Sequence, residues 1–180
     1  VEGPAFTTNR YIIDWSTYCL LDKEITKRYH TINGRRDVFT TEKKYSYEFN
    51  FVDPGFSLKP RCVETTGSDG TQATDNYDYL ANYPGILSYH KHTEGTDSRE
   101  SRILFKSENC LPEKIQSRTN QMTDYRDEVV YRHYDGYDNP VEISGKDGIP
   151  VSFIWSYRNR FPIARIENAT IQEVYSTIGV

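Results

Sequence analysis

The stretch "YDGYDNPVEISGKDGIPVSFIWSY", residues 134–157, carries the pattern that decides the fold. Turn-forming residues cluster at 138–140 and again at 147–148, and a short segment rich in Val and Ile separates them. Beyond the second turn, apolar side chains occupy every second position from Ile149 to Tyr157, which predicts a half-buried strand. The segment therefore predicts a hairpin, with Val141 and Ile143 on the apolar face of its first strand.

The second turn predicts a specific backbone conformation. Two-residue hairpin loops of the mirror-image type favour Asn-Gly or Asp-Gly, because their central residues have positive φ. Asp147-Gly148 fits that pattern, and Gly148 is expected to have positive φ. Comparable turn signals recur along the chain at Asn33-Gly34, Asp53-Pro54-Gly55, Asp69-Gly70, Asp138-Asn139-Pro140 and Arg158-Asn159.

Composition favours strands over helices. Of the 180 residues 14% are aromatic, including 15 tyrosines, and such side chains pack well on a pleated sheet. The alternating stretch "YSYEFNF", from Tyr45 to Phe51, predicts a second half-buried strand. The polar stretch from Tyr89 to Glu100 predicts a surface loop or an edge hairpin, and no repeat unit is recognised between residues 84 and 128.

Helical periodicity occurs near the C-terminus. Thr170 and Glu173 match a capping box, and Gly179 stands where a C-terminal cap belongs, so a helix is predicted over 170–178. Its apolar stripe would contain Ile171, Val174, Tyr175 and Ile178.

Charge and cysteine content exclude several classes of protein. A net charge of −4 with dispersed basic residues gives no footprint for nucleic acid. No apolar run approaches the ~20 residues of a transmembrane helix. The cysteines, Cys19, Cys62 and Cys110, fit no metal-binding spacing, and reduced, partly buried thiols are expected.

Residues 129–157 resemble a YD repeat, the tyrosine-aspartate unit of the rearrangement-hot-spot (RHS) family. Weaker similarity covers residues 57–80 and surrounds Asn33-Gly34. The signature positions are Tyr134, Asp135, Asn139, Pro140, Asp147 and Gly148 in the clearest unit, and Asp69, Gly70, Tyr77 and Asp78 in the weaker one.

The resemblance implies an all-β fold of successive antiparallel β-hairpins that form an extended, twisted sheet, ending in one short helix. Residues 1–180 would form a single elongated domain. The implied function is a non-enzymatic scaffold or shell module within a larger exported polypeptide of the cell envelope, the outer surface or the secreted fraction. Its partner would be the remainder of that polypeptide, and no cofactor is implied.

Polar side chains offer one candidate for chemistry. His90 and His92 would point the same way from a strand, which is a usable arrangement for metal ligands. A solvated polar segment accounts for them more simply, so neither a metal nor hydrolytic activity is expected. A hydrolase ranks third among the functions considered.

The second functional class is a carbohydrate-binding, adhesin-like module. Five tyrosines could stack on sugar rings if they turned outward, although cross-strand packing explains them more simply. They are Tyr83, Tyr89, Tyr125, Tyr131 and Tyr157.

The ends of the chain suggest self-association. The first residues enter a strand-like pattern almost at once, and an uncovered edge strand presents unpaired N–H and C=O groups. The chain is therefore expected to be a segment of a longer array, to associate edge to edge, and to be closed at the other end by the C-terminal helix.

Overall fold

The computed structural model describes residues 6–13, 19–32, 35–48 and 59–179. The chain divides into two compact units, an N-terminal unit of residues 1–100 and a C-terminal unit of residues 101–180. The turn signals at Asn33-Gly34 and Asp53-Pro54-Gly55 lie outside the described residues.

The N-terminal unit consists of antiparallel strands that pair in sequence order, each with the strand before it. Their bounds are β1 Phe6–Ile13, β2 Cys19–Ile32, β3 Arg35–Ser46, β4 Cys62–Gly67, β5 Gln72–Leu80 and β6 Tyr83–Glu94. The boundary between the units falls within the next strand, β7 Asp97–Phe105.

The C-terminal unit continues this pattern. Strands β8 to β12 pair antiparallel in sequence order. The elements are β8 Pro112–Thr119, β9 Arg126–Tyr134, β10 Pro140–Gly145, β11 Pro150–Ser156, β12 Phe161–Glu167 and the helix α1 Ile171–Ile178. The predicted fold class is confirmed: the described residues form successive antiparallel strands followed by one short C-terminal helix.

The β10–β11 turn corrects the prediction of a two-residue mirror-image loop. Ser144 pairs with Pro150, and the Gly148 N–H donates to the Gly145 carbonyl over 3.0 Å. Gly148 has φ +76°, as predicted, but Asp147 is not among the residues with positive φ. The turn is therefore a four-residue turn whose last position is left-handed, a hairpin connection in which glycine is favoured at that position.

The strand prediction for Tyr45–Phe51 is only partly correct. Strand β3 includes Tyr45 but ends at Ser46, and Tyr47 and Glu48 follow it in irregular backbone. The Tyr47 hydroxyl instead donates to the Leu21 carbonyl over 2.9 Å, which fixes this side chain outside a ladder. Residues 49–51 lie outside the described residues.

The region between residues 84 and 128, where no repeat unit is recognised, consists largely of strands β6 to β9. The stretch from Tyr89 to Glu100 supplies the end of β6 and the start of β7, joined through Gly95 at φ +57°. The predicted surface loop is wrong, and the predicted edge hairpin is correct only in part: the stretch forms a hairpin, but β6 also pairs with β5 and so is not an edge strand. Lys91 and Glu100 form an ion pair at 3.4 Å across it.

Helix α1 begins and ends as predicted. The Thr170 hydroxyl accepts the Glu173 N–H and the Glu173 carboxylate accepts the Thr170 N–H, which is a complete capping box. Gly179 caps the other end at φ +75°. Ile171 and Val174 are buried, whereas Ile178 is exposed, so the predicted apolar stripe is buried only at its N-terminal half.

Both the apolar and the polar positions of the β10–β11 hairpin include buried residues. Val141, predicted on the apolar face, is buried and Val151 and Phe153 are half-buried, as a half-buried strand requires, but the polar residues Ser144 and Ser152 are fully buried, which the sequence did not predict. The Ser152 hydroxyl donates to the Ala169 carbonyl over 2.8 Å, immediately before the helix. Small polar side chains thus let the chain leading into α1 pack directly on the side of the hairpin that carries Ser152.

The helix consequently has a different position from the predicted one. It contacts β11, rather than closing the sheet beyond its last strand.

Candidate functional sites

Tyr134 and Asp135, the Tyr-Asp pair that resembles a YD repeat, lead into a hydrogen-bonded turn between β9 and β10. The Asp135 carboxylate accepts the N–H groups of Tyr137 and Asn139 at 2.8 and 2.9 Å. Burial pushes the pKa of Asp135 up, but these hydrogen bonds outweigh it, so the pKa lies below its usual range. Asn139 then donates to the Asn159 carbonyl over 2.9 Å, which ties this turn to the next one.

Tyr134 anchors the same unit to the preceding strand. Its hydroxyl donates to the Pro112 carbonyl, and its ring stacks on Tyr131 with centroids 6.0 Å apart. Lys106 lies 4.8 Å from the ring centre. Burial raises the pKa of Tyr134 to about 12. These signature residues thus hold neighbouring strands together.

The weaker resemblance, residues 57–80, contains a turn like the one between β10 and β11. The Gly67-Ser68-Asp69-Gly70 turn between β4 and β5 repeats the β10–β11 turn: Gly70 has φ +84° and its N–H donates to the Gly67 carbonyl over 3.1 Å. In both turns the aspartate accepts the N–H two residues on, from Thr71 at 2.9 Å in the first and from Ile149 at 3.1 Å in the second.

Both turns also begin with glycine, and a larger residue there would crowd the aspartate, more severely in the first turn than in the second. A Cβ on Gly67 would lie 2.7 Å from the Asp69 carboxylate, and one on Gly145 would lie 3.2 Å from that of Asp147. The shared sequence Gly-x-Asp-Gly is therefore a steric and hydrogen-bonding unit. Tyr77-Asp78, by contrast, lies within β5 instead of a turn, and Asp78 pairs with Arg61 at 3.7 Å.

The two candidate metal ligands lie on one side of β6 as the alternation predicts, and a carboxylate from β5 joins them. His90 Nε2 and His92 Nδ1 each lie 2.8 Å from the same oxygen of Asp75. Tyr77 stacks on His90 with centroids 4.8 Å apart. Burial raises the pKa of Asp75, but hydrogen bonds from His92 and His90 prevail, and the pKa lies below its ordinary value.

Register explains why the sequence did not reveal Asp75. His92 pairs with Asp75 and His90 with Tyr77 across the β5–β6 ladder, whereas the carboxylates near the histidines in sequence lie elsewhere. Within the described ranges, no cluster of three or more His, Cys, Asp and Glu side chains is arranged to hold a metal ion. Cys62 and Cys110 are free, half-buried thiols, and burial raises the pKa of Cys62.

A polar network in the C-terminal unit was not predicted at all. Arg102 donates to Gln116 over 2.8 Å, Gln116 donates to Asp127, and Lys114 pairs with Asp127 at 2.9 Å. Hydrogen bonds from Gln116 and then Lys114 hold the pKa of Asp127 below its ordinary value. The network borders a groove of about 620 Å³, which Tyr125 also lines.

The tyrosines proposed for sugar stacking are divided between the two units. Tyr83 and Tyr89 belong to β6, and the other three belong to the C-terminal unit. Strands β9 and β11 run parallel to each other on either side of β10. Because Tyr125 precedes β9 and Tyr157 follows β11, the two tyrosines lie at opposite ends of these strands. The Tyr125 ring lies 3.8 Å from the Arg102 guanidinium and 4.6 Å from that of Arg118, and Tyr131 is stacked on Tyr134.

Tyr157 differs from the other four in exposure and backbone. It is 72% exposed, and it opens a run of three left-handed residues, with φ 53° at Tyr157, 62° at Arg158 and 58° at Asn159. Left-handed backbone costs an L-residue about 1–2 kcal/mol, and asparagine tolerates it best. The prediction that Tyr157 ends the strand is therefore wrong, because the residue belongs to the β11–β12 turn.

Comparison with known proteins assigns no family, since no family model matches the chain and no curated protein matches it. Among the described residues, no helix has both the length and the apolar character needed to cross a bilayer.

Proposed function

We propose that this chain is a non-enzymatic structural module, a segment of β-sheet scaffold or shell within a larger exported polypeptide of the RHS/YD-repeat type. The observation that carries the proposal is the recurrence of one turn, Gly-x-Asp-Gly, with the same hydrogen bonds between β4 and β5 and between β10 and β11. Recurrent turns of fixed geometry are the expected sign of a chain built from repeated hairpins.

The chemistry of the polar side chains supports the same proposal. The Tyr45 hydroxyl donates to Glu24 over 3.0 Å across β2 and β3, and burial, aided by that carboxylate, raises the pKa of Tyr45 to about 12. A phenol that stays protonated holds two strands together and is a poor acid–base catalyst near neutral pH. Export is part of the proposal and rests on the family resemblance alone.

Exchanging the two turns tests the repeat. Residues 67–71, "GSDGT", and residues 145–149, "GKDGI", differ at two positions, so each should function in the place of the other. We expect the exchanged chain to unfold at the temperature of the parent. Asp69→Ala and Asp147→Ala, which each remove the hydrogen bond across one turn, should both lower it. Exchange that unfolds the chain would contradict a shared unit.

A second experiment tests the scaffold role within the larger polypeptide. Deleting residues 141–156 should prevent that polypeptide from reaching its assembled form, as judged by protease resistance. The matched control, His90→Gln with His92→Gln, removes both imidazoles of the Asp75–His90–His92 cluster. It should leave the assembly and function of the polypeptide intact. Loss of function in the double variant, with assembly preserved, would refute a purely structural role.

A further inference from the structure

We propose that the turn between β11 and β12 is a binding site for an acidic sugar, a pyranose ring that carries a carboxylate. The site, named here the aromatic turn, comprises Tyr157, Arg158, Arg160 and Phe161. This inference does not depend on the scaffold proposal, because a structural module can also present a ligand site on its turns.

The aromatic turn presents two rings to solvent. Tyr157 is 72% exposed and Phe161 is 61% exposed. Their centroids lie 6.4 Å apart and their planes meet at 75°, so the two rings form an open corner rather than a closed stack. The C–H groups of a sugar ring carry partial positive charge and are attracted to the negative face of an aromatic ring. An open corner of this kind therefore suits a pyranose.

The same turn carries unneutralised positive charge. Arg158 lies within the left-handed run and Arg160 directly follows it, and both side chains are exposed. Neither forms an ion pair with the described residues, whereas the lysines of the groove near Tyr125 are paired with Asp127 and Glu128. Guanidinium groups bind carboxylates through paired, charge-assisted hydrogen bonds. The charge thus selects an acidic sugar over a neutral one.

The backbone holds this arrangement in a strained conformation. The Arg160 N–H donates to the Ser156 carbonyl over 3.1 Å, and Asn139 holds the Asn159 carbonyl from the neighbouring turn. Tyr157 and Arg158 occupy left-handed positions that glycine would fill with less strain. Strain of this type, imposed by the surrounding structure, concentrates at binding sites because it fixes side chains before the ligand arrives.

The size of the aromatic turn favours a sugar over a protein partner. A stable protein interface covers about 800 Å² on each partner, whereas this site consists of one turn. One or two sugar residues match two rings and two guanidinium groups. The two guanidinium groups could also bind the carboxylates of an acidic protein segment, so the experiment must distinguish such a segment from an acidic sugar.

Binding of a short oligogalacturonide to the whole chain, followed by NMR chemical shifts, tests the proposal. Tyr157→Gly removes the ring and tolerates the positive φ, so it should fold normally and bind about tenfold more weakly, the effect of losing one good contact. Arg158→Gly with Arg160→Ala should weaken binding by at least as much. A neutral maltooligosaccharide of equal length should bind about tenfold more weakly than the acidic one.

Two matched controls preserve the site. Asn159→Gly keeps both rings and the left-handed backbone, and Tyr83→Ala removes another half-exposed tyrosine from the other unit; both should bind as the parent does. Absence of saturable binding, equal binding of the neutral sugar, or unchanged binding by Tyr157→Gly would overturn the proposal. Equal, Tyr157-dependent binding of a polyglutamate peptide would overturn it too, in favour of an acidic protein partner.

Discussion

Replacing Gly148 by alanine should destabilise the β10–β11 hairpin through the backbone alone. Gly148 has φ +76°, and no heavy atom lies within 4 Å of the position that its Cβ would occupy. The cost is therefore conformational, about 1–2 kcal/mol for an L-residue in left-handed backbone. Alanine also restricts the unfolded chain, which offsets about 0.4–1 kcal/mol of this cost. A net loss of about 1 kcal/mol is expected.

Gly136→Ala provides the matched control. Gly136 also has open space around its would-be Cβ, but it is not among the glycines with positive φ. Its replacement should stabilise the chain by about 0.4–1 kcal/mol, because only the unfolded-state effect remains. The free energies of unfolding of the two variants should thus differ by about 1–2 kcal/mol, the backbone cost itself.

Urea and thermal unfolding measure this difference. Circular dichroism follows the sheet, and tryptophan fluorescence includes Trp155, whose indole donates to the Pro140 carbonyl within the hairpin. For a chain of this size, a difference of 1 kcal/mol moves the melting temperature by about 2–4 °C. Equal stability of the two variants would refute the reasoning, because it would mean that Gly148 does not need its left-handed conformation.

Further predictions concern buried polar contacts. Glu142 is buried and accepts the Ile171 N–H at the start of α1 over 2.8 Å. Glu142→Ala should therefore lower the free energy of unfolding, measured in urea, by about 1–3 kcal/mol. Glu142→Gln keeps an acceptor and should lower it clearly less. The pKa of Asp75 is lowered in the folded protein, so the ionised carboxylate stabilises the fold above the ordinary aspartate pKa. That stabilisation is lost as the pH falls through the lower folded pKa. In Asp75→Asn the urea midpoint of unfolding should therefore depend less on pH over that acid range. Tyr134 has its pKa raised from 10.0 to about 12, so stability should fall as the pH rises between those values, and Tyr134→Phe should lessen that fall and remove one late step from the absorbance titration of the tyrosines.

Local chemistry explains which elements the sequence predicts correctly. The alternation from Ile149 onward predicts β11, since a strand exposes every second side chain on one side. The capping box of Thr170 and Glu173 fixes the start of α1 through contacts between residues three apart. Gly148 takes positive φ because its own turn requires it. Each of these features depends on residues close together in sequence, so a short window contains all the information.

Strands built from polar residues escaped prediction for a complementary reason. In β7, "DSRESRILF", no alternation of apolar and polar residues marks the strand. What stabilises it lies on other strands, where Gln116 of β8 receives a hydrogen bond from Arg102 and passes one to Asp127 of β9. Such cross-strand pairs depend on register, and a bulge within the β8–β9 ladder shifts that register. The convergence of His90 and His92 on Asp75 escaped for the same reason.

The sequence by itself therefore determined the fold class of this protein, the left-handed conformation of Gly148 and the terminal helix, because alternation, glycine geometry and capping act within a few residues. Only the tertiary structure decided that polar residues of the hairpin are buried as well as apolar ones. Ser152 and Glu142 read as solvent-facing residues in sequence, yet both are buried and form hydrogen bonds to the chain at the start of α1. Burial of polar groups is favourable only where partners satisfy them, and here those partners are the Ala169 carbonyl and the Ile171 N–H, 17 and 29 residues away from Ser152 and Glu142.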